Sequence, residues 1–262
     1  MTHIDSTSRY ALRDYVFACI SGSKVVLLDL KKDKYLEIED ADALQLSRVI
    51  ARWPRHDNMP THHETRHESA AQNLIDELLK NRLIDVFDHP THPCFDATGL
   101  PIPQREITGM PGGTRAPISI SDLWTFVSAS ANASFNFRFH SLERIVNDVA
   151  SMRADRGELL VKPGEEDFSA AEKAIQKYSQ VQPNLWKSKD RCLIESLRLI
   201  YFLAPRHIFP VWVFGVSTDP FFAHCWLQLG DAVLNETVET VNGCTPIMAI
   251  RMTDSSALRR TV

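Results

Sequence analysis

The sequence lacks the features that mark exported, membrane-spanning or disulfide-bonded proteins. No hydrophobic run approaches the roughly 18 consecutive apolar residues of a membrane-spanning helix, and residues 1–13 contain no apolar segment typical of a secretion signal. The five cysteines are an odd number and include no C-x-x-C pair, which argues against a disulfide framework and against a structural zinc knuckle. We therefore expect a cytoplasmic protein.

A strong charge of either sign is also absent. The formal net charge is -4, so the composition gives no electrostatic reason to expect nucleic acid as a partner. No glycine-rich phosphate-binding loop is present, and the sequence predicts no cofactor. With 262 residues, of which 44% are hydrophobic, the chain can bury one large core or two modest ones.

A segment rich in proline and glycine divides the chain. Residues 88–117 contain six prolines and four glycines, and hydrophobic periodicity disappears there. This composition is typical of a linker. We therefore predict a small first unit at residues 1–87 and a larger second unit at residues 118–262.

The first unit opens with three short apolar runs at residues 15–20, 25–30 and 35–39. Polar segments that resemble hairpin turns separate them, so the pattern predicts a three-stranded antiparallel sheet. The third run alternates in polarity. We expect Leu36 and Ile38 to face a core, and Tyr35, Glu37 and Glu39 to point outward.

Two amphipathic helices follow these strands. One extends from Asp40 to about Ala51, and the other carries an apolar stripe that includes Leu74 and Leu78. Three strands and two helices within about 85 residues make a winged-helix-like module. Such a module is too small for a catalytic cleft of its own, so we expect it to bind a partner.

The order of these elements and the phrases YALRDYVFACISG, KYLEIEDADALQL and IDELLKNRLIDV resemble the RiPP recognition element. The resemblance covers roughly residues 8–87. It implies that the leader of a precursor peptide adds as a strand to the edge at residues 34–39 and packs against the helix at residues 69–83. The implied leader contacts are Tyr35, Leu36, Glu37, Ile38, Leu74 and Leu78.

A winged-helix DNA-binding protein is the competing interpretation of the first unit. Such a protein needs a basic recognition helix, but residues 69–79 carry Asp76 and Glu77 and no Lys or Arg. The missing positive charge makes DNA binding the weaker hypothesis.

Residues 63–67 read His-Glu-Thr-Arg-His, which matches the H-E-x-x-H pattern of zinc metalloproteases. The flanking residues are polar, whereas zinc-binding helices are usually buried. Thr65 and Glu68 form a capping box that would leave His63 outside the helix, although a second box from Thr61 to Glu64 would start the helix earlier and restore the geometry. We therefore predict a polar connection and no metal site.

The second unit begins with helical patterns at about residues 121–133, 141–152 and 169–178. A further helix follows Asp190, a plausible N-cap, and ends at Pro205. Cys192 then lies in the first turn, where free N–H groups and the helix dipole favour a negative charge. Both effects lower the pKa of a thiol, so Cys192 is a candidate nucleophile.

Strands predicted at residues 208–216, 222–229 and 232–236 follow this helix. His224 lies at the end of the second hairpin that is far from its turn, opposite Asn235 and Glu236. A two-residue turn places Asn235 on the face of His224, whereas a three-residue turn with a bulge places Glu236 there. Asp231 lies in the turn itself, about 23 Å of extended chain from His224, which excludes it as a partner of the imidazole.

A cysteine at a helix start, a histidine on a strand and an acid on the next strand follow the order of transglutaminase-like cysteine proteases. The phrases RCLIESLRL, FFAHCWLQLGD and VLNE resemble the lasso peptide maturation protease more closely, over about residues 120–250. The resemblance implies a transglutaminase-like or papain-like α+β domain with Cys192 as nucleophile, His224 as base and Glu236 as the orienting acid. The family normally has Asp at that third position, and Glu236 favours the bulged turn.

These resemblances together predict an α+β cysteine peptidase that cleaves a precursor peptide between leader and core. They imply two partners, the precursor peptide and a separate ATP-dependent cyclase similar to asparagine synthetase. A non-catalytic peptide-binding adaptor and an acyltransferase or amidase with the same triad are the alternatives. We expect structural roles for the other cysteines, which are Cys19, Cys94, Cys225 and Cys244.

Overall fold

The computed structural model describes residues 9–54, 68–86, 95–107, 116–152, 163–182 and 192–252. The chain forms two compact units. The first contains residues 1–94 together with residues 216–222, and the second contains residues 95–215 and 223–262. Helices and mainly antiparallel strands build both units, which confirms the predicted α+β class.

The main sheet of the first unit is the predicted antiparallel one. It consists of β2 (Val16–Ser21), β3 (Lys24–Asp29) and β4 (Lys34–Glu39), in that order, with Val26 opposite both Cys19 and Glu37. Short polar turns join the strands, and the apolar side chains of β3 are almost all buried. In this sheet β4 is an edge strand.

The described residues of the first unit also form two helices and a second small sheet. The helices are α1 (Asp40–Val49) and α2 (Glu68–Lys80). The small sheet places β1 (Tyr10–Leu12) between β5 (Ile50–Ala51) and β6 (Ile84–Val86). The sequence pattern did not predict this sheet, because strands of two or three residues are too short to show a periodicity.

The two helices pack on the main sheet around one hydrophobic core. Leu46 of α1 and Leu78 of α2 are fully buried there, together with Leu27 of β3. The side chain of Ile38 also enters this core and is 4% exposed, whereas Leu36 is 37% exposed. The expectation that Leu36 faces a core is therefore wrong, because strand alternation sets a direction but does not supply a neighbour to cover an edge strand.

In the described part of the second unit, there are five α-helices and a five-stranded sheet. The helices are α3 (Ile120–Phe139), α4 (Leu142–Ser151), α5 (Glu165–Val181), α6 (Cys192–Leu203) and α7 (Val238–Asn242). The strands are β7 (Arg105–Glu106), β8 (Val211–Thr218), β9 (Phe221–Leu229), β10 (Ala232–Val233) and β11 (Thr245–Ile250), in the spatial order β11-β8-β9-β10-β7. The tip of β8–β9 belongs to the first unit.

A buried carboxylate ties three parts of the helical layer together. Asp122 forms a capping box with Ser119 at the start of α3 and ion pairs with Lys177 and Arg206, at 3.0 and 2.6 Å. Burial alone would raise the pKa of Asp122, but the hydrogen bonds from Ser119, Lys177 and Arg206 hold it well below its usual range. Asp122 therefore stays ionised and fixes α3 against α5 and the segment after α6.

Part of the predicted linker is folded. Residues 105–106 form β7, which pairs in parallel with β10, and the main-chain N–H of Ile107 donates to the carbonyl of Val233 at 2.8 Å. Phe95 is buried, and its carbonyl accepts a hydrogen bond from Ala249 of β11. Residues 95–107 therefore belong to the second unit.

Within the part of the chain that the structure describes, no helix is both long and apolar enough to cross a membrane.

Candidate active site

The helix that carries Cys192 is anchored by its buried residues. From Ser196 onward, α6 is buried through Ile200, while Cys192 in the first turn is half-buried. A cysteine in this position is accessible to a substrate and close to the positive end of the helix dipole. The proposed N-cap, Asp190, lies outside the described residues.

The hairpin of β9 and β10 has a two-residue turn. Leu229 pairs with Ala232 and Gln228 with Val233, around Gly230 and Asp231. Gly230 has a positive φ of 58°, a conformation that glycine adopts without strain. The preference for a bulged three-residue turn is therefore wrong.

Glu236 reaches His224 even without a bulge. The ladder continues only as far as Leu234, whose N–H donates to the carbonyl of Leu227 at 2.9 Å. The N–H of Leu227 then donates to the side-chain oxygen of Asn235 at 2.7 Å, so the side chain takes the place of a main-chain partner. The main chain bends away at this point, and Glu236 turns back to the imidazole.

His224 and Glu236 form a partly buried pair. His224 Nε2 lies 3.0 Å from Glu236 Oε2, and the two side chains are 7% and 28% exposed. The hydrogen bond with His224 holds the pKa of Glu236 below its usual range, although burial opposes this shift. Because Glu236 occupies Nε2, Nδ1 is the ring nitrogen that remains for a nucleophile.

The structure also brings Cys192 to this imidazole. Burial lowers the pKa of His224 more than any other single cause, but hydrogen bonds and charges from Cys192 and Glu236 together raise it to about 9. The pKa of Cys192 falls to about 4, first through a hydrogen bond with the Cys225 side chain and then through the hydrogen bond and charge of His224. Between these limits the pair exists as thiolate and imidazolium.

Cys225 is the site residue that the sequence pattern missed. Alternation along β9 points its side chain away from His224, which suggested a structural role. Its thiol is buried and hydrogen-bonded to Cys192, and its own N–H also donates to Cys192. Burial, followed by the neighbouring Cys192, raises the pKa of Cys225 well above its usual value, so this thiol stays protonated.

Two polar side chains, Ser196 and Asn235, connect α6 to the β9–β10 hairpin beside Cys225. Ser196 lies one helical turn after Cys192 and is fully buried, with its Oγ 3.8 Å from Cys225 Sγ. The side-chain amide of Asn235 donates to the same Oγ at 3.0 Å. Asn235, one of the two candidate partners of His224, therefore connects the helix to the hairpin and leaves the imidazole to Glu236.

Trp226 is the aromatic neighbour of His224 on the same strand. The two rings are nearly parallel, with centroids 6.4 Å apart. The indole lies across β8 at Gly215, where a Cβ atom would be only 2.7 Å from the Trp226 ring. Gly215 therefore supplies the space that Trp226 occupies.

Asp231 lies in the turn, as expected, and pairs there with another residue. Its carboxylate is 2.6 Å from Arg105 of β7, and this hydrogen bond lowers the pKa of Asp231. The two side chains are 29% and 45% exposed.

The predicted leader contacts fall into two groups. Tyr35 is half-buried, with its ring 5.7 Å from that of Phe221, and Leu74 is also half-buried. Leu36 and Glu37 are exposed, and Glu37 accepts a hydrogen bond from Lys24 at 2.8 Å. Ile38 and Leu78 are buried in the hydrophobic core of the first unit.

Among the described residues, no three His, Cys, Asp or Glu side chains are grouped so that they could hold a metal ion. The H-E-x-x-H pattern at residues 63–67 lies outside these residues, as does Cys94.

Comparisons with known proteins identify the second unit. A family model described as the transglutaminase-like superfamily matches residues 129–249, a segment that contains Cys192, His224 and Glu236. The second unit therefore contains a transglutaminase-like domain, a class in which cysteine-protease-like enzymes are usual. No curated protein and no solved structure gives a significant match.

Proposed function

We propose that this protein is a cysteine peptidase that binds the leader of a ribosomally synthesised precursor peptide and cleaves it from the core during lasso peptide biosynthesis. One observation carries the proposal: a half-buried thiol with a pKa of about 4 lies beside a histidine with a pKa of about 9 that an acid orients. A nucleophile, a proton donor and an orienting group in contact are the minimum set for acyl transfer.

The chemistry begins at the sulfur of Cys192. The thiolate attacks the scissile carbonyl carbon, and the carbonyl oxygen takes up the displaced electron pair. The His224 imidazolium donates its proton to the leaving amine as the C–N bond breaks, which releases the core and leaves the leader as a thioester on Cys192. Neutral His224 next takes a proton from water, whose oxygen attacks the thioester, and the C–S bond breaks to restore the thiolate and imidazolium.

Glu236 and the start of α6 support these steps. The Glu236 carboxylate holds the imidazole by Nε2 and stabilises its protonated form. The first turn of α6 has N–H groups without helical partners, and they favour the negative charge that develops on the carbonyl oxygen. Cys192 lies in that turn, so both charges form beside the same helix end.

The edge strand β4 supports a role of the first unit in leader binding. An edge strand carries main-chain groups that can pair with an added peptide strand, and Leu36 with half-buried Tyr35 and Leu74 supplies apolar surface. A tethered leader raises the local concentration of the cleavage site, so that a modest catalytic pocket suffices. The released core amine would be joined to an Asp or Glu side chain by a separate ATP-dependent cyclase in the cytoplasm.

Replacement of the nucleophile tests the catalytic half of the proposal. We expect Cys192→Ala to abolish cleavage of a precursor peptide from the same genome, measured by mass spectrometry after incubation with the full chain. The matched control is Cys19→Ala, which removes a buried thiol of the first unit. Cleavage by the Cys192→Ala variant would refute a thiolate mechanism, and loss of cleavage in His63→Ala would point instead to the metalloprotease pattern.

A charge on the edge strand tests the binding half. Because Leu36 is exposed and apolar, Leu36→Glu should raise KM for the precursor by roughly tenfold, with little change in kcat. Val86→Glu is the control, since Val86 is 68% exposed on β6, a different strand of the same unit. Equal effects of the two substitutions would count against binding at β4.

The same acyl-enzyme also permits acyl transfer, which the transglutaminase-like match favours as a second candidate. Hydrolysis gives a leader with a free carboxylate, whereas transfer gives a leader joined to an added amine. The mass of the leader product distinguishes the two. An adaptor without catalytic activity would give neither product.

A further inference from the structure

The outward face of α3 carries a continuous apolar stripe. Five large apolar side chains are each between 55% and 76% exposed and follow one another at helical spacing: Ile120, Trp124, Val127, Phe135 and Phe139. The ring centroids of Phe135 and Phe139 are 4.8 Å apart, so these two side chains form one surface. The stripe lies opposite the buried side of α3, which includes Phe126, Ala129 and Ala133.

The stripe is large enough for a stable protein interface. Its exposed fractions correspond to roughly 650 Å² of surface, because a large apolar side chain carries about 150–250 Å². Each partner in a typical stable interface contributes about 800 Å². The exposed side chains of Leu123 and Phe137, on the flanks of the stripe, supply most of the difference. An exposed apolar patch of this size marks an interaction surface.

The helix that carries the stripe is held in place from its buried side. Asp122, near the start of α3, forms ion pairs with Lys177 and Arg206. Near the end of α3, the side-chain amide of Asn136 donates to the hydroxyl of Tyr201 on α6 at 2.7 Å. A helix that is already fixed loses little conformational freedom when its outer face docks on a partner.

The exposed surface of α3 is nearly without charge, which limits the kind of partner that it fits. Of its 20 residues only Asp122 and Arg138 are charged, and Asp122 is buried. A membrane-binding helix carries several Lys or Arg residues beside its apolar face, and α3 does not. A different protein is usually selected through complementary charges. Two copies of one chain with a net charge of -4 repel each other, so their contact is favoured where charge is absent.

The order of side-chain sizes along the stripe fits a second copy of the same helix. The stripe is large at both ends and small near its middle, where Ala131 is exposed. In an antiparallel pair with a twofold axis at the middle of α3, Ile120 of one copy lies opposite Phe139 of the other. Trp124 then lies opposite Phe135. Small central residues let the two helices approach closely, and the antiparallel arrangement brings opposite ends of the helix dipoles together.

We propose that the apolar stripe of α3 is the interface of a homodimer in which two copies of this helix pack antiparallel about a twofold axis. Because the contact is isologous, every side-chain pair in it occurs twice. The pairs of Trp124 with Phe135 bury two large aromatic rings on each side of the axis. None of the stripe residues belongs to the triad of Cys192, His224 and Glu236, so the proposal does not depend on the proposed peptidase activity.

Charge substitutions at the paired positions test the interface, with sedimentation velocity of the full-length chain as the measurement. We expect the parent to dimerise, and Trp124→Glu and Phe135→Lys each to raise the Kd of the dimer at least roughly 100-fold, because each places a charge against an aromatic ring at two points. Both side chains are exposed, and a carboxylate near the start of α3 or an ammonium near its end suits the helix dipole, so both variants should fold. The control is Ile102→Glu, which alters an equally exposed apolar residue of the second unit outside α3 and should leave Kd unchanged.

A mixture of the two variants tests the antiparallel register. In a dimer of one Trp124→Glu chain and one Phe135→Lys chain, the new carboxylate faces the new ammonium, and the other pair keeps both aromatic rings. We therefore expect the equimolar mixture to associate at least roughly tenfold more tightly than either variant alone. A mixture that associates no better than its components overturns the antiparallel pairing.

Two further results would overturn the homodimer itself. A parent chain that stays monomeric up to about 100 µM has no interface of the proposed strength. Binding of that monomer to phosphatidylcholine vesicles would assign the stripe to a lipid surface, and absence of such binding would leave it to another protein. A dimer whose Kd is the same in the parent, Trp124→Glu and Phe135→Lys, with folding checked by circular dichroism, would place the contact outside α3.

Discussion

The two ends of the β9–β10 hairpin carry the same kind of pair, a carboxylate beside a nitrogen base or cation, in different surroundings. At the turn, Asp231 and Arg105 are 2.6 Å apart, and their side chains are 29% and 45% exposed. At the other end, Glu236 and His224 are 3.0 Å apart, and the side chains are 28% and 7% exposed, so the buried imidazole is what distinguishes this pair. The shorter of the two contacts, between Asp231 and Arg105, is the one that lies outside the candidate active site.

The difference lies in what a third group adds. At the turn, the guanidinium stays charged at any ordinary pH, and the pair has no further chemistry. At the far end, the imidazole can gain or lose a proton, and Cys192 shares it. Burial of His224 strengthens the electrostatic interactions within this triad, whereas water screens the interaction between Asp231 and Arg105. A catalytic role therefore depends on burial and on a partner that can gain or lose a proton. The distance between the two charged groups does not by itself indicate such a role.

Among substitutions at the two ends of the hairpin, removal of the His224 imidazole should have the largest effect on activity. We expect His224→Gln to lower kcat/KM for peptide cleavage by about 10³-fold, because the leaving amine loses its proton donor and the thiolate loses its counter-charge. The rate of Cys192 alkylation at pH 6 should fall as well, since the pKa of Cys192 would rise. Unchanged alkylation at pH 6 would contradict an ion pair between Cys192 and His224.

Neutralisation of Glu236 should have an intermediate effect. Gln at this position can still hold the imidazole by a hydrogen bond, so we expect Glu236→Gln to lower kcat/KM by roughly tenfold. The carboxylate stabilises the protonated imidazole, so its loss lowers the pKa of His224. The upper limb of the pH profile, at about 9 in the parent, should then move to lower pH, and the lower limb should move less.

A Glu236→Asp variant separates charge from reach. It retains the carboxylate, so the upper limb should stay near that of the parent even if kcat decreases. An upper limb that moves equally in Glu236→Asp and Glu236→Gln would show that the charge is not the cause.

Removal of the turn pair should have the smallest effect. Asp231→Asn breaks an exposed ion pair that lies about 23 Å of strand from His224, so kcat/KM should not change. We expect at most a slight decrease in Tm at low ionic strength that disappears at high salt. A marked loss of activity would mean that the hairpin transmits changes along its length.

Long periodic segments could be predicted from the sequence. The apolar runs and polar turns at residues 15–39 predicted the three-stranded sheet, and further apolar runs predicted α6 and the β9–β10 hairpin. The extended chain also places Asp231 too far from His224, as the structure has it. Short elements could not be predicted, because β7 contains only two residues in a proline-rich segment and is defined by its pairing with β10.

Contacts between elements could not be predicted from the sequence either. Alternation assigns His224 and Cys225 to different faces of β9, but it does not say which element covers each face. Cys192, at the start of α6, interacts with both side chains, so Cys225 belongs to the site. The predicted bulged turn was wrong for a related reason. The side-chain oxygen of Asn235 accepts a hydrogen bond from the N–H of Leu227, which ends the ladder and makes a bulge unnecessary.

Gly215 limits how this site can be altered by design or selection. The Trp226 indole fills the volume where a side chain at position 215 would lie, and His224 lies along that indole. Any larger side chain at position 215 would therefore displace Trp226 and with it His224, so such variants would lose activity although the histidine itself is unchanged. Engineering for a new substrate has to treat this glycine as fixed and search for diversity elsewhere.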